Sequence, residues 1–358
     1  EHDVDGRAAR EAVDQRVGAA LDPGKAWGDL SDHLIAWDIP APPGYLTYKR
    51  NIFTLVVSKW DRLFVPGAID WRHVSWGGVR IDDRAPGRTD APCNCIPAAD
   101  APPVSNAAGA DWLADSDIVF GVSINGEHRA YPRRIMEVRE MVNDTLGGVP
   151  IVVSWHWPSG HIAVHERAVA SHYANSGLIG SGTLLMYELS DTEGGEQLYS
   201  PLLSQTVSGE MDELTLIPHE VTSWASWFSR HPETTSIAPV EGMKKRYRKG
   251  DPRIYFSTEK LYFPVDPMPE DDLNPKTPVI AIQSAGSFTC FSINQLVEEA
   301  NGEGIVHVTI DGQPVTIEVD DAPLYAVARD ATGNVIPSHR ALWMNWHALH
   351  PEAKIQHP

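Results

Sequence analysis

The chain is poor in cysteine, in basic charge and in long apolar runs, and each shortage excludes a class of protein. Its 358 residues include three cysteines, which are too few for a disulfide scaffold. The formal net charge of -19 argues against nucleic acid and anionic membrane as partners, because a negative surface repels phosphate. No apolar run approaches the ~20 residues that a membrane-spanning helix needs, so we expect no membrane span.

The signatures of several enzyme classes are also absent. The sequence has no P-loop, no Rossmann glycine pattern, no Gly-x-Ser-x-Gly elbow and no His-Glu-x-x-His helix. No nucleotide or flavin cofactor is therefore expected. A hydrophobic content of 42% beside 22% charged residues is typical of an ordinary globular protein, and the length predicts roughly two or three domains.

Side chains that could bind a metal are concentrated in one stretch, which contains His156, His161 and His165. The apolar run before this stretch and the alternation within it predict two strands around a turn at Trp157–Gly160. Alternate residues of a strand share a face, so His161 and His165 point the same way. Neutral imidazole suits zinc, copper, iron or nickel, and the three histidines therefore predict an open metal site on a hairpin.

The histidines have two interpretations. A strand rises ~3.3 Å per residue, so the Cα atoms of His161 and His165 should lie about 13 Å apart. One ion cannot easily bind both, and the metal interpretation therefore pairs His156 with one of them across the turn. The alternative is that all three are partly exposed histidines of ordinary strands and bind nothing.

The pair of neighbouring cysteines has three possible interpretations. Cys93 and Cys95 are closer in sequence than the partners of most disulfides, although such short bridges exist. The pair could form that bridge, donate two thiolates to a soft metal, or be a loop pair without function. Cys290 stands in an apolar segment and is predicted to be buried.

An internal repeat links two tryptophan-containing segments. Both have the order Ile-Pro, Trp, Trp, His-Pro-Glu at identical spacing, at Ile217–Glu233 and at Ile336–Glu352. Tryptophans at positions i and i+3 share one face of a helix, so each segment predicts a short helix that the proline ends. His231 and His350 are predicted as helix C-terminal residues, where an imidazolium complements the helix dipole.

Strand and helix patterns predict a fold of the α+β class. Short strands and a few short helices follow one another without a regular βαβ order, and Asn125-Gly126 marks a hairpin turn. We therefore expect a β-rich, internally duplicated domain with short Trp-containing helices, plus an N-terminal extension.

The expected organisation has three parts. Residues 1–89 form the N-terminal extension, residues 90–240 the first repeat half and residues 241–358 the second. The extension combines an amphipathic helix at Gly6–Leu21 with a Trp-rich segment. The apolar stripe of that helix could dock on its own domain or on a partner subunit.

Several ordered motifs resemble one known family. They include Gly126-Glu-His-Arg-Ala-Tyr-Pro132, Val142-Asn-Asp-Thr-Leu-Gly-Gly-Val-Pro150, Asn175-Ser-Gly177 and Thr222-Ser-Trp-Ala-Ser-Trp227. The chain is similar in them to an uncharacterised prokaryotic family known as domain of unknown function 3179. The resemblance covers about residues 95–293, and a second, degenerate copy of part of it extends to 358. Family members often carry secretion signals, which implies a bacterial protein that is secreted, periplasmic or associated with the cell envelope.

The resemblance also implies a metal or redox site. Family members typically have a His-Glu pair before the Val-Asn-Asp motif and a Cys-Pro-x-Cys-Gly element after the next strand. Here Arg139-Glu140 replaces the pair, while His156 and Ser159 replace the two cysteines. A thiolate site is therefore not expected at this place. Glu140 joins His156, His161 and His165 as the predicted ligands of a copper or zinc ion.

A competing hypothesis is a non-catalytic binding or structural subunit with a degenerate family site. It rests on the loss of the family's cysteines and histidine, and on an extension that is rich in tryptophan. In this case the extension would contact a protein partner or a second copy of the chain. The sequence assigns no reaction under either hypothesis, so enzyme activity is not predicted.

Overall fold

The computed structural model has more strand than helix, and it describes residues 40–87, 93–189, 196–239, 253–321 and 324–358. The β-rich character expected from the sequence is confirmed. The predicted helix at Gly6–Leu21 lies outside the described residues. Within the described ranges, no helix is long and apolar enough to cross a membrane.

The elements are numbered in chain order. The strands of the described residues are β1 (Val74–Trp76), β2 (Ala99–Asp100), β3 (Val104–Asn106), β4 (Ile118–Ile124), β5 (Glu127–Pro132), β6 (Met141–Leu146), β7 (Val149–His156), β8 (His161–Glu166), β9 (His172–Gly180), β10 (Thr183–Leu189), β11 (Leu198–Ser200), β12 (Gln205–Thr206), β13 (His219–Ser223), β14 (Thr235–Ile237), β15 (Pro278–Ser284), β16 (Ser287–Ser292), β17 (Ile305–Ile310), β18 (Gln313–Asp321), β19 (Leu324–Arg329), β20 (Ser338–Leu342) and β21 (Ile355–Gln356). The α-helices of the described residues are α1 (Tyr45–Val56), α2 (Arg133–Arg139), α3 (Trp224–Arg230), α4 (Arg253–Phe256), α5 (Ile293–Glu299) and α6 (Trp343–Leu349).

The described strands form four sheets. Sheet 1 has the order β1-β9-β10-β11-β12, and sheet 2 has the order β13-β4-β5-β14-β3. Sheet 3 is the largest, with the order β2-β6-β7-β8-β20-β15-β16-β21, and sheet 4 has the order β17-β18-β19. Most neighbouring strands are antiparallel, as expected where short turns connect hairpins.

Local turn chemistry explains the hairpins. Asn125 and Gly126 have φ values of 50° and 81°, the positive pair that a tight turn between two twisted strands requires. They join β4 to β5, whose register runs from Val119–Pro132 to Ile124–Glu127. The hairpin predicted around Trp157–Gly160 is also present, as β7 and β8.

Hairpin β7–β8 lies between two layers. One of its faces, with Val153 and Val164, packs on Phe120 and Tyr131 of sheet 2. The opposite face, with Val152, belongs to a cluster with residues of sheet 1. Because side chains alternate along a strand, His156, His161 and His165 lie on the face that meets sheet 1.

A single register pair joins β8 to β20 and so completes sheet 3. Ile162 pairs with Arg340, and the Nη1 atom of Arg340 donates to the Gly160 carbonyl oxygen at 2.9 Å. Strands that are far apart in the sequence therefore meet beside the histidine hairpin.

The described part of the N-terminal region packs on sheet 1. Strand β1 pairs with β9, and Trp60 is buried in a cluster that contains Leu178 and Leu185. The Trp60 Nε1–H also donates to the Ser176 carbonyl oxygen at 2.6 Å. This region is thus part of the layer that covers the histidines, while the proposed boundary at residue 89 stays a prediction.

The two short helices α3 and α6 bury aromatic side chains. Trp227 is 0% exposed and Trp346 is 1% exposed. A Cβ atom at Gly121 would lie 2.3 Å from the Trp227 ring, so the close approach of helix and strand requires glycine there. These tryptophans anchor two separate core clusters.

Candidate functional site

The three histidines of hairpin β7–β8 are buried together on one face. His156 and His161 are direct register partners across the hairpin, and His165 follows on the same face of β8. Their exposed fractions are 3%, 2% and 0%. The partial exposure assumed in the alternative interpretation is therefore wrong, because the histidines lie on the face of the hairpin that meets sheet 1. Metal binding by these histidines stays a prediction.

A fourth histidine arrives from the far end of the chain. The pairing of Arg340 with Ile162 brings His339 next to Ala163, between His161 and His165. The Nε2 atom of His161 lies 3.3 Å from the Nδ1 atom of His339. The ring centroid of His339 is 5.4 Å from that of His161 and 6.4 Å from that of His165.

Ser204 connects the remaining imidazoles. Its Oγ atom lies 2.9 Å from His165 Nε2 and 3.2 Å from His339 Nε2. Ser204 has a φ of 55°, a left-handed conformation that is uncommon outside glycine. We refer to His161, His339, Ser204 and His165 as the histidine cluster, because consecutive contacts link them in that order.

The polar atoms next to the cluster are mostly satisfied. His156 Nδ1 lies 2.9 Å from Ser159 Oγ, and the Nδ1–H of His219 is 3.1 Å from the Ile217 carbonyl oxygen. By contrast, His165 Nδ1 is buried and has no hydrogen-bond partner among the described residues. An unpaired buried nitrogen is costly, and a ligand that accepted its lone pair would remove that cost.

Burial sets the charge of these imidazoles. Desolvation lowers the pKa of His156 and of His165 to about 3. Desolvation first, and the neighbouring histidines second, hold the pKa values of His161 and His339 well below the usual range. At neutral pH each ring therefore keeps one unprotonated nitrogen, which is the form that binds a metal.

Glu140 has a different environment from the histidines. It follows α2 with a φ of 53°, and its Oε2 atom accepts a hydrogen bond of 2.6 Å from Asn175 Nδ2. Burial raises its pKa to about 8, so the carboxyl group is largely protonated at neutral pH. A protonated carboxyl group is a poor metal ligand.

No three of Glu140, His156, His161, His165 and His339 have ligand atoms within 4.8 Å of one another. Within the described ranges, that criterion is met by Asp82, Cys93 and Cys95. Cys93 and Cys95 form a disulfide with a Cα–Cα distance of 5.2 Å, which is ordinary for a bridge. Of the three alternatives for this pair, the structure contains the short bridge.

Sequence reasoning missed His339 and Ser204. His339 does have a local signal, because it lies two residues after Ile336-Pro337, at a position where the similar segment that begins at Ile217 has Glu220. Ser204 has none, since it belongs to a turn whose position depends on sheet 1. Cys290, predicted to be buried, is a buried free cysteine.

Comparison with known proteins returns one family. The family described as "Protein of unknown function (DUF3179)" matches residues 93–353. No curated protein and no solved structure shows a significant match. The resemblance noted in the sequence motifs is confirmed, and it extends over more of the chain than those motifs indicated.

Proposed function

Since the chain belongs to the DUF3179 family, whose function is unknown, we propose a function from its own geometry: the histidine cluster binds one zinc or copper ion. The observation that carries the proposal is the distance of 3.3 Å between His161 Nε2 and His339 Nδ1. Two nitrogens bound at about 2.0–2.1 Å to a tetrahedral ion lie roughly 3.3–3.4 Å apart. The two imidazoles thus have the spacing of adjacent ligands.

The surrounding contacts support the same assignment. When His339 binds through Nδ1, its Nε2–H donates to Ser204 Oγ at 3.2 Å. Metal-binding histidines commonly make such an outer hydrogen bond, which fixes the ring and its tautomer. His165 supplies the third ligand in this proposal, because its Nδ1 atom is left without a partner. Its ring has to move to bind the ion, since no three of these histidines have ligand atoms within 4.8 Å of one another.

The ligand set proposed here changes the one expected from the sequence. His161 and His165 stay in the set, and His339 is added. His156 faces His161 across the hairpin and is the fourth candidate, although Ser159 already contacts its Nδ1 atom. Glu140 is left out, because it is hydrogen-bonded to Asn175 and carries a raised pKa.

We also infer that the domain is duplicated. The order β4-β5-α2-β6-β7-β8 recurs as β15-β16-α5-β17-β18-β19. Strand β13 pairs with β4 as β20 pairs with β15, and in each case a tryptophan-containing helix follows. In this comparison β18–β19 corresponds to the histidine hairpin and has no histidine. His339 is then the contribution of the second half to a site in the first.

Metal analysis of untagged, full-length protein tests the proposal. The most informative variants are His161→Gln and His339→Asn, because the amide nitrogen or oxygen replaces the contacting ring nitrogen and keeps a hydrogen bond. We expect about one equivalent of bound zinc in the parent protein and less than about a fifth in either variant. His307→Asn, at an exposed histidine of β17, is the matched control and should retain full binding.

Circular dichroism separates loss of binding from loss of fold. If both variants are folded and still bind a full equivalent, the histidine cluster is not the site. A parent protein that binds less than about a tenth of an equivalent after zinc and copper loading would also overturn the proposal.

The second candidate function is a structural or binding subunit without a metal. One observation favours it: the contacts from His161 through His339 and Ser204 to His165 already join β8 to β20 as hydrogen bonds. The partner would contact the N-terminal extension. The Cys93–Cys95 disulfide supports a secreted or cell-envelope location for either candidate, because disulfides persist in oxidising compartments.

A further inference from the structure

Asp82, Cys93 and Cys95 form a second group of ligand atoms, remote in the sequence from the histidine cluster. Their ligand atoms all lie within 4.8 Å of one another. Asp82 is 2% exposed, whereas both cysteines are half-buried and Asn94 between them is exposed. The group therefore has a rigid, buried carboxylate on one side and a bridge that solvent can reach on the other.

Arg84 and the backbone hold the carboxylate in place. Arg84 Nε donates to Asp82 Oδ1 at 2.6 Å, and Arg84 Nη2 donates to Oδ2 at 2.8 Å. The Ala98 backbone N–H also donates to Oδ2 at 2.8 Å. A carboxylate fixed in this way keeps its orientation toward the sulfur atoms, as ligands supported by outer hydrogen bonds do.

The cysteine loop is anchored by backbone contacts that do not involve sulfur. The Arg80 N–H donates to the Asn94 carbonyl oxygen at 2.8 Å, and Arg80 pairs with Cys95 as an isolated bridge. The Asp82 N–H in turn donates to the Asn175 carbonyl oxygen at 2.8 Å. Opening the S–S bond therefore leaves the two sulfur atoms close to Asp82.

We propose that Asp82, Cys93 and Cys95 form a redox-gated binding site for a zinc-class divalent cation. In the disulfide form, the sulfur atoms are bonded to each other and the site binds no ion. In the dithiol form, two thiolates and one carboxylate supply three ligands, which is the number found in open zinc sites. The exposed side at Asn94 leaves the fourth position to water.

A dithiol is the reductant that opens the disulfide in the gating step. One thiolate of the reductant attacks a cysteine sulfur and breaks the S–S bond, which forms a mixed disulfide. The second thiol of the reductant resolves it and leaves as a cyclic disulfide. Two electrons and two protons have then passed to Cys93 and Cys95, and binding of the cation releases those two protons. Oxidation by a disulfide of higher potential reverses the sequence and expels the ion.

Cobalt(II) is the probe of choice, because thiolate ligands give it a near-ultraviolet charge-transfer band that imidazole and carboxylate ligands do not. We expect full-length protein treated with a dithiol, and freed from it, to show this band and to bind about one equivalent of cobalt more than the oxidised protein does. The oxidised protein should not show it. Cys93→Ser and Cys95→Ser should each abolish the band, and Asp82→Asn should weaken cobalt binding by about 10-fold or more.

Two controls keep this test separate from the histidine proposal. Cys290→Ala should retain the band, because Cys290 is buried and its thiol pKa is raised by desolvation. His161→Gln should also retain it, so a lost histidine site and a lost cysteine site give different results. The proposal is overturned if the reduced parent protein lacks the band, if the folded protein's disulfide resists the dithiol, or if Cys93→Ser keeps the band.

Discussion

Hairpins β7–β8 and β18–β19 differ in what covers them. Both faces of β7–β8 are covered, one by sheet 2 and the other by sheet 1. In β18–β19 the inner face is buried, with Ile317 at 0% exposed, but the outer face carries Glu318, whose side chain is 39% exposed. The outer face therefore keeps charged groups in contact with water.

The difference shows that a covering layer decides whether the polar groups on a strand face are charged or neutral. Glu318 forms an ion pair of 2.8 Å with Arg329 on the open hairpin. On the covered hairpin three of the polar positions are histidines, which can lose their charge when water is excluded. Sheet 1 includes β1 from the N-terminal region. Because it excludes water from this face of the hairpin, the imidazoles stay neutral and can act as nitrogen ligands.

The largest loss of stability is expected from replacing the buried tryptophans of helices α3 and α6. Trp227→Ala and Trp346→Ala should each reduce the free energy of unfolding by about 3–5 kcal/mol, because each removes a buried indole from a core cluster. Urea denaturation measures the change. Trp76→Ala is the control, since Trp76 is 41% exposed and its replacement should cost far less. If Trp346→Ala is no more costly than Trp76→Ala, Trp346 does not anchor its core cluster as described.

Acid should reduce the stability of the protein through the buried histidines of β7–β8, and not through the exposed groups of β17–β19. The pKa of His165 falls from about 6.5 in the unfolded chain to about 3 in the folded protein. Below pH 6.5 the unfolded state therefore binds more protons, and the stability present above that pH is lost as the pH falls toward 3. The loss is about 1.4 kcal/mol per pH unit for each such histidine. Glu140 has the opposite effect, because its pKa is raised from 4.5 to about 8. Between these two pH values its contribution to stability grows as the pH falls, and this gain offsets the loss from about one histidine.

The measurement is the free energy of unfolding of metal-free protein between pH 7.5 and 5. His165→Gln should reduce its slope against pH by about 1.4 kcal/mol per unit below pH 6.5. The exposed His307 on β17 provides the matched control, and His307→Asn should leave the slope unchanged. Equal slopes in the parent and His165→Gln would mean that His165 is protonated in the folded state.

Much of the local structure could be predicted from the sequence, because it depends on neighbours in the chain. Asn125-Gly126 marked a turn, and the alternation around Trp157–Gly160 marked a hairpin with histidines on one face. The burial of those histidines could not be predicted, since it depends on sheet 1. His339 could not be placed either, because its position results from one register pair between Ile162 and Arg340, distant in the sequence. The protonation of Glu140 could not be predicted either, because the burial that raises its pKa depends on distant parts of the chain.

Metal loading should produce an intermediate effect that is confined to the covered hairpin. A ligand that binds only the folded state adds about 2.7 kcal/mol of stability at a free concentration of 100 times its Kd. We expect zinc to raise the melting temperature of the parent protein, and His339→Asn to remove that rise. Thermal melts with and without zinc, on protein kept in the disulfide form, measure it. An equal rise in parent and variant would assign the stabilisation to a different site.

The smallest effect is expected on the open hairpin. Glu318→Gln removes the charge partner of Arg329, but the pair is solvent-screened and Arg329 also contacts Glu220 at 3.2 Å. The expected loss in the free energy of unfolding is therefore about 0.2–1 kcal/mol, and it should shrink in high salt.

On the covered hairpin, Ser204→Ala leaves two buried imidazole nitrogens without their hydroxyl partner. It should reduce the free energy of unfolding by about 1–3 kcal/mol, with little dependence on salt. Urea denaturation of both variants at low and high salt gives the comparison. A larger, salt-resistant loss for Glu318→Gln would mean that the outer face of β18–β19 is also covered in solution.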